Sequence, residues 1–327
     1  MDLGSYTIKV VSLSNESGGN KLNAYNIKNI PLGDKSANME KLIKETFDEI
    51  DLQASSVNLS VSGPDVIVRF ISLPKMNKDQ LSSALSFEAE KYIPFNVSDV
   101  VLDFLILGNS HEEGQMNVLL AAAKRAPIEK TVKIMEKLSM SVKIVDINPL
   151  AMFNAFFRAN PIKEEEKEKG FAFLDLGHSQ SNVIVSIGDR PLFMRQVQIG
   201  GGDVSEALCK NLSISAEKAE EYKRGLLDEG KEAAEQVINS VLDELIKEIQ
   251  LSFGYFENRN NKAISDIFCS GGMVSRNGLV DYISEGIGID VHPWNPVADM
   301  TFSESISIED ISKIASQLPV SIGLALR

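Results

Sequence analysis

The chain has 327 residues, of which 43% are hydrophobic, and its formal net charge is −13. This length and composition predict a globular protein of two domains. The acidic balance argues against broad nucleic-acid binding and against a direct electrostatic hold on anionic lipid, because both need a basic surface. The two cysteines show no metal-ligand spacing and no apolar run approaches ~20 residues. We therefore expect a reducing, cytoplasmic compartment and neither a transmembrane helix nor a signal peptide.

The first motif lies at the start of the chain. Asp2 and Gly4 form an Asp-x-Gly motif, and Ser5, Thr7 and Lys9 follow it before an apolar strand. A small polar turn between two strands offers backbone N–H groups and hydroxyls that can hold a phosphate, and a carboxylate at the end of the first strand can hold Mg²⁺. Only one residue precedes the aspartate. We therefore expect a short first strand, either because the start codon is misplaced or because part of the strand is missing.

Residues 65–144 are predicted to form an inserted subdomain with the order β-α-β-β-α-β, in which one small sheet carries helices on one side. Its strands are expected at 66–73, 100–107, 117–123 and 142–147, and its helices at 77–92 and 127–138. The chain on either side of the insertion then forms domain 1. Its first part is 1–64, and its second part, which ends in a charged connector, is 145–169.

A second copy of the first motif opens domain 2, which we place at 170–327. Two apolar strands enclose a turn that carries Asp175, Gly177, His178, Ser179 and Gln180. When the first aspartate of the chain is set against Asp175, the glycines and the following apolar residues also coincide. A duplicated unit of this kind fixes an architecture. Two such hairpins that face each other could hold one polyphosphate between two domains.

The rest of domain 2 contains three further candidate segments. Gly201, Gly202 and Asp203 open a helix, and a Gly-rich entry to a helix N-terminus can bind an anion, although such loops are also common as plain junctions. In a following helix at 216–224, Glu220 and Lys223 share a face, which without other information indicates a surface ion pair. The longest helix is expected at 232–257, within a helical subdomain of about 203–262. The third segment is Gly271, Gly272 and Met273, after a short strand. A terminal helix at 319–327 is a candidate for packing on domain 1.

Together these features resemble the actin-like ATPases, which include sugar kinases, heat-shock chaperone ATPases and the division protein FtsA. Their two phosphate loops are Asp-x-Gly hairpins, and a Gly-Gly pair forms their adenosine motif. A more specific resemblance, to the PilM family of type IV pilus assembly proteins, rests on the runs FEAEKYIPF at 87–95, VVLDF at 100–104 and VDINPLA at 145–151. It implies an actin-like ATPase fold of the α/β class, with two α/β domains around a nucleotide cleft and an inserted subdomain placed as in FtsA.

The resemblance also implies ATP and Mg²⁺ as ligands, with the metal held by Asp2 and Asp175 directly or through water. No Asp or Glu stands in a motif for a catalytic base, so at most slow ATP hydrolysis is expected. The residues expected to bind the nucleotide are Asp2, Gly4, Ser5, Thr7, Lys9, Asp175, Gly177, His178, Ser179, Gln180, Gly201, Gly202, Asp203, Glu220, Lys223, Gly271, Gly272 and Met273.

The implied function is structural. The chain would be a cytoplasmic component of the type IV pilus assembly complex, held at the inner membrane by its partner. That partner would be the N-terminal cytoplasmic tail of PilN, bound in a groove between domain 1 and the inserted subdomain. Other pilus assembly proteins are expected as further partners, and self-association into a homo-oligomer is compatible with the resemblance. The alternatives are an FtsA-like filament protein, a GspL-like type II secretion component and a small-molecule kinase of the same fold.

Overall fold

The computed structural model describes residues 1–16, 19–31, 39–110 and 113–327. Strands and helices alternate along most of the chain. The strands are β1 (Asp2–Leu3), β2 (Thr7–Glu16), β3 (Gly19–Asn29), β4 (Ser56–Val61), β5 (Val66–Pro74), β6 (Val100–Asn109), β7 (Gln115–Lys124), β8 (Ser141–Ile147), β9 (Gly170–Leu176), β10 (Ser181–Ile187), β11 (Arg190–Val197), β12 (Ile264–Ser270), β13 (Val291–Pro293) and β14 (Thr301–Phe302). The helices are α1 (Met39–Asp48), α2 (Lys78–Glu88), α3 (Arg125–Lys137), α4 (Asn148–Ala159), α5 (Gly201–Leu212), α6 (Ala216–Lys223), α7 (Lys231–Asn260), α8 (Leu279–Ile287), α9 (Ile308–Ile314) and α10 (Pro319–Ala325).

The first half of the chain, joined by β14 from near the C-terminus, builds a sheet in the order β1-β2-β3-β14. It also contains a separate parallel pair of β4 with β8. The short β1 runs antiparallel to β2, so that Asp2 lies opposite Lys9. On one side of these strands, α1 and α3 enclose a core that contains Ile8, Ile43 and Met135. The first Asp-x-Gly motif therefore lies in the turn between two strands, as the sequence predicts.

Within the segment that the sequence predicts to be an insertion, three strands form an antiparallel sheet in the order β5-β7-β6. Helix α2 begins with a capping box at Asn77 and packs through Leu81 and Leu85 on one face of this sheet. The prediction that the strand at 142–147 belongs to the same small sheet is wrong, because β8 pairs with β4. Helix α3, which precedes β8, also lies outside the small sheet, since its Met135 is buried in the core of the first sheet. Sequence order alone does not say which sheet a strand joins.

The second half of the chain builds a five-stranded sheet in the order β11-β10-β9-β12-β13. Strands β9, β10 and β11 are antiparallel neighbours, whereas β12 is parallel to β9 and to β13. Helices α5 to α8 contribute to the hydrophobic core on one face, and the longest helix, α7, buries Leu245, Ile249 and Phe256 there. The opposite face carries Phe171 and Phe173, which pack with residues of α4 and α10 in a second core.

The terminal helix α10 packs against α4, β2 and β4. Its Gly323 lies so close to α4 that a Cβ atom would be 1.9 Å from the carbonyl oxygen of Ala151, so only glycine fits this crossing. The amide of Asn58 on β4 donates to the carbonyl oxygen of Leu324 at 2.8 Å. The end of the chain is thereby fixed to the sheet that its beginning forms.

Candidate functional site

A cavity of about 420 Å³ lies between the two Asp-x-Gly hairpins. This volume falls within the ~300–1,000 Å³ that is typical of small-molecule sites. The structure brings together in its walls the hairpin residues and the glycine pair that the sequence singles out. These residues are Asp2, Gly4, Ser5, Thr7, Lys9, Asp175, Gly177, His178, Ser179, Gln180, Gly271 and Gly272. The others that the sequence predicts, Gly201, Gly202, Asp203, Glu220, Lys223 and Met273, lie outside this wall.

Asp2 is the first residue of β1 and is buried, with 2% of its surface exposed. Its carboxylate accepts a hydrogen bond from the Lys9 ammonium at 2.9 Å and one from the Asn148 amide at 3.3 Å. Asn148 is the first residue of α4, and Lys9 lies opposite Asp2 on β2. The carboxylate is therefore fixed from two sides, and one positive charge already compensates its own.

Asp175 occupies the matching place at the end of β9, and its carboxylate accepts a hydrogen bond from the Asn182 amide at 3.1 Å. Burial raises the pKa of this carboxyl, Lys9 and Asn182 act to lower it, and the nearby charge of Asp2 raises it again. A buried carboxylate that feels a second one favours a cation between them. Among the described residues no group of three or more His, Cys, Asp or Glu side chains could hold a metal. A Mg²⁺ ion here would complete its shell with water and phosphate oxygens.

The tips of the two hairpins touch through a pair of rings. Tyr6 lies in the turn between β1 and β2, and His178 lies in the turn between β9 and β10. The ring centroids are 4.5 Å apart and the ring planes differ by 18°, which is a stacked arrangement. The Lys223 ammonium lies 5.9 Å from the Tyr6 centroid, within cation–π range. This stack links the two halves of the cavity directly.

The Gly-rich segment at the start of α5 is hydrogen-bonded to the turn of the second hairpin. The N–H of Gly201 donates to the carbonyl oxygen of Gly177 at 2.9 Å, and the N–H of Gly202 donates to that of His178 at 2.7 Å. The Asp203 carboxylate accepts from the N–H of Gly200 at 2.7 Å. These N–H groups are engaged by hairpin carbonyls, so the segment positions the turn that carries His178.

Glu220 and Lys223 form an ion pair on α6, as their spacing predicts. Lys223 also donates to the Ser205 hydroxyl at 2.9 Å and to the Gly201 carbonyl oxygen at 3.2 Å. Burial lowers the pKa of Lys223. Burial opposes the ionisation of Glu220, but hydrogen bonds from Lys223 and Ser205 outweigh it and hold the pKa of Glu220 below its usual value. The pair therefore ties α6 to α5 beside the cavity and is not a loose surface contact.

The Gly271-Gly272 turn follows β12 and closes the cavity near the second hairpin. Gly271 has φ +106°, and a Cβ at this position would lie 2.3 Å from the carbonyl oxygen of Leu176. Its N–H donates to the carbonyl oxygen of Ser316 at 2.7 Å. Met273 is buried, and its thioether lies against Gly201. Only glycine allows this turn to come so close to β9.

The wall residues that escaped the sequence interpretation include Tyr6, Asn148, Asn182 and Arg224. Asn148 and Asn182 orient the two carboxylates through hydrogen bonds. Asn182 is the cross-strand partner of Asp175 within the second hairpin, so the hairpin itself is a signal that could have found it, whereas Asn148 is distant from Asp2 in the sequence. Arg224 directly follows Lys223, at the C-cap of α6. It brings a guanidinium to the cavity wall, where it suits an anionic ligand.

A second, smaller cavity of about 190 Å³ backs onto the first. It lies between the ends of β4, β5 and β7 and the first turns of α3. The apolar residues Val66 and Ala123 are buried beside it with Ile147. Leu3 and Ser62 line both cavities, so the first hairpin forms part of a common wall.

Comparison with protein families decides the identity. The family model described as "Type IV pilus assembly protein PilM" matches residues 1–327. The chain belongs to the PilM family. A solved structure described as a PilM-PilN type IV pilus biogenesis complex superposes on this PilM-family chain with a TM-score of 0.89 at 27% sequence identity. The match covers 100% of this chain and 96% of the other.

More distant structures share the fold alone. The ethanolamine utilization protein EutJ from Carboxydothermus hydrogenoformans matches with a TM-score of 0.56 at 12% identity, over 99% of this chain and 87% of the other. Component A of the (R)-2-hydroxyglutaryl-CoA dehydratase of Acidaminococcus fermentans matches with a TM-score of 0.50 at 10% identity, over 99% and 94%. The PilM-family chain thus has the actin-like ATPase fold that its two hairpins predict. Among its described helices, none is long and apolar enough to cross a membrane.

Proposed function

We propose that this PilM-family chain is a nucleotide-controlled docking protein of type IV pilus assembly. It binds ATP·Mg²⁺ in the larger cavity and the N-terminal tail of a PilN-type membrane protein in the smaller one. The observation that carries the proposal is the facing pair of Asp-x-Gly hairpins around one cavity. Duplicated hairpins of this kind present two sets of backbone N–H groups and hydroxyls to the same polyphosphate.

The residues of the cavity fit ATP and Mg²⁺. Ser5 and Thr7 on one side and Ser179 on the other offer hydroxyls to the phosphates. The Lys9 ammonium supplies positive charge in a chain whose net charge is −13, and the pair Asp2 and Asp175 supplies the carboxylates for the metal. Glu220 and Lys223, whose side chains lie beside Tyr6, are proposed to contact the ribose.

Turnover is expected to be slow. The only carboxylates among the described residues of the cavity wall are Asp2 and Asp175, and both are assigned to the metal. No further acid is then positioned to orient the attacking water, and the rate of phosphoryl transfer depends on that orientation. Bound ATP would therefore act by holding the two hairpins together.

The smaller cavity is the proposed site for the tail. Its floor is apolar, through Val66 and Ala123, and its rim carries the ion pair of Asp65 with Lys124 at 2.7 Å. An amphipathic or extended peptide can anchor apolar side chains in such a groove. Because Leu3 and Ser62 belong to both cavity walls, binding at one site is expected to change affinity at the other by the same factor in each direction.

In the cell, the protein would work at the cytoplasmic face of the inner membrane, held there by its partner and by other pilus assembly proteins. A kinase, an FtsA-like filament protein or a GspL-like component is not favoured, because the PilM family model matches the chain from end to end.

Nucleotide binding is tested by calorimetric titration with ATP and Mg²⁺. At ~100 times its dissociation constant, ATP should add ~2.7 kcal/mol to the free energy of unfolding. Asp175→Asn should abolish the Mg²⁺-dependent part of the binding, whereas Asp189→Asn, at an exposed turn position, should not change it. Absence of any heat or melting shift at millimolar ATP and Mg²⁺ would refute the nucleotide proposal.

Tail binding is tested with a fluorescent peptide copy of a PilN cytoplasmic tail. Ile128 is half-buried in α3 and lines the smaller cavity, whereas Lys130 is exposed on the same helix and does not line it. Ile128→Glu should weaken the peptide at least tenfold, which is ~1.4 kcal/mol, and Lys130→Glu should leave its affinity within a factor of about two. Equal effects of the two substitutions would place the tail elsewhere.

A further inference from the structure

A groove of about 260 Å³ lies between two edge strands, β5 of the small sheet and β11 of the five-stranded sheet. Residues 66–69 form the wall on β5, and residues 194–196 form the wall on β11. Gln198, just beyond the end of β11, also lines the groove. The groove is far larger than the ~15 Å³ that one water needs, so it can admit side chains of another polypeptide.

Strand β11 offers an open backbone edge. It pairs with β10 on one side, and no strand among the described residues pairs with its other side. Near its start Pro191 lacks an N–H group, which leaves residues 192–197 to pair with an added strand. An open edge of this length is a template for a further strand of the same sheet.

On one face of this edge, α7 presents exposed apolar side chains. The rings of Phe193 on β11 and Tyr255 on α7 have centroids 5.6 Å apart. Tyr255 is 55% exposed, and Leu251, one turn earlier on α7, is 62% exposed. The Arg259 guanidinium donates to the Tyr255 hydroxyl at 3.1 Å and helps to fix the ring. We call Phe193, Leu251 and Tyr255 the α7 patch. Grouped apolar exposure of this kind marks a surface that contacts a partner.

The groove on the other face of β11 is polar and favours negative charge. Gln196 and Gln198 line it on one side, and Arg69 lines it from β5. None of the described residues in its wall is aspartate or glutamate, although the net charge of the chain is −13. Arg195 already pairs with Glu248 on the α7 side. Amide and guanidinium N–H groups are donors that suit a carboxylate, so the groove complements an acidic side chain.

We propose that the open edge of β11 is a docking site for an extended segment of a partner protein, in which apolar and acidic side chains alternate. The segment pairs through its main chain with residues 192–197 and adds a strand to the sheet. Because side chains of a strand alternate between its faces, the apolar ones lie on the α7 patch and the acidic ones face Arg69 and the two glutamines. Aromatic and arginine side chains, which protein interfaces favour, are what this surface presents. The inference goes beyond the nucleotide and tail sites and depends on neither.

Three synthetic peptides test the site by fluorescence anisotropy with the full chain. The first, Glu-Leu-Glu-Val-Glu-Leu-Glu, has the alternating pattern and should show saturable binding below about 100 µM. The second, Glu-Glu-Leu-Val-Leu-Glu-Glu, has the same composition without the alternation and should bind at least about tenfold more weakly. The third carries lysine in place of every glutamate of the first and should not bind in this range, because its charges repel Arg69.

Two variants of the protein locate the peptide. Leu251→Glu places a carboxylate in the α7 patch and should weaken the alternating peptide at least about tenfold. Ile308→Glu makes the corresponding change at a residue of α9 that is 65% exposed, and it should leave the affinity within a factor of about two. Both replaced side chains are exposed, so the melting temperature should stay that of the parent chain. Arg69→Glu should weaken the acidic peptide and allow the lysine peptide to bind.

Amide hydrogen exchange shows whether the peptide adds a strand. With the alternating peptide at saturation, exchange at residues 192–197 should slow at least about tenfold. Strand β6 is an edge of the small sheet and serves as the internal control, since its amides at 100–109 should not change. The proposal is overturned if the alternating peptide shows no saturable binding, if the two acidic peptides bind equally, if Leu251→Glu and Ile308→Glu act alike, or if protection appears at β6 and not at β11.

Discussion

The glycine pair after β12 allows a sharp test of the site, because its two members are adjacent but differ in backbone conformation and in the space around a Cβ atom. Both Gly271 and Gly272 line the larger cavity. Gly271 has φ +106° and faces the backbone of Leu176, whereas Gly272 has an ordinary φ and no atom within 4 Å of the position of a Cβ. The substitutions Gly271→Ala and Gly272→Ala add the same methyl group at adjacent positions and separate backbone strain from any effect of bulk in the cavity.

The magnitude follows from the geometry. The new Cβ at Gly271 would lie 2.3 Å from the carbonyl oxygen and 2.7 Å from the nitrogen of Leu176, so the turn or the end of β9 must move by about 1 Å to reach ordinary van der Waals contact. The left-handed backbone adds ~1–3 kcal/mol. We expect Gly271→Ala to lower the free energy of unfolding by ~3 kcal/mol or more, and Gly272→Ala to change it by less than ~0.5 kcal/mol.

Thermal unfolding followed by circular dichroism measures the difference. At ~2–4 °C per kcal/mol, Gly271→Ala should melt at least ~6 °C below the parent protein. Titration with ATP and Mg²⁺ should show a loss of affinity, because β9 carries Asp175 directly before Leu176. The Gly272→Ala chain should match the parent in both assays. If the two substitutions prove equally stable and equally active in binding, the reasoning about this turn is refuted.

Three more predictions concern charges and rings. Burial raises the pKa of Asp175, so the folded chain binds a proton at this carboxyl more readily than the unfolded chain does. At pH values above the raised pKa, the ionised carboxylate therefore lowers the free energy of unfolding. Asp175→Asn should therefore keep or raise the melting temperature, while the affinity for ATP·Mg²⁺ falls at least tenfold, or ~1.4 kcal/mol. A lower melting temperature would contradict the destabilising role of the ionised carboxylate. Tyr6→Ala and His178→Ala should show a coupling of ~1 kcal/mol in a double-mutant cycle of stability, and additive losses would contradict the stack. Because burial lowers the pKa of the Met1 amine to about 5, the unfolded chain binds more protons between pH 5 and 8, and stability in urea should rise with pH across this window. An acetylated N-terminus should remove that part of the slope, and an unchanged slope would contradict the burial of the amine.

The hairpins and their carboxylates could be predicted from the sequence because the same unit occurs twice. Asp2 and Asp175, with the glycines two residues later, lie on opposite sides of one cavity as the duplication implies. The Glu220–Lys223 pair also forms as its spacing predicts. These predictions depend on local spacing and on repetition, which a single sequence contains.

Contacts between segments that are distant in the sequence could not be predicted. The sequence pattern places the strand at 142–147 in the small sheet predicted for 65–144, but β8 pairs with β4, about 85 residues earlier in the chain. Which strand pairs with which depends on the apolar faces that can be buried together, and a local sequence pattern contains no information about faces formed by distant segments. The stack of Tyr6 on His178 and the hydrogen bond from the Asn148 amide to Asp2 are of the same kind, since each joins segments that are distant in the sequence.

The packing of α10 on α4, β2 and β4 has a consequence for synthesis of the chain on the ribosome. The first sheet receives β14 at its edge and α10 against its face only after residues 301–325 have been made. Until then Val11, Leu22 and Phe156, which are buried in the finished core, lack part of their cover. The growing chain should therefore complete the five-stranded sheet first and close the earlier half last, so that premature termination before α10 would leave an aggregation-prone product.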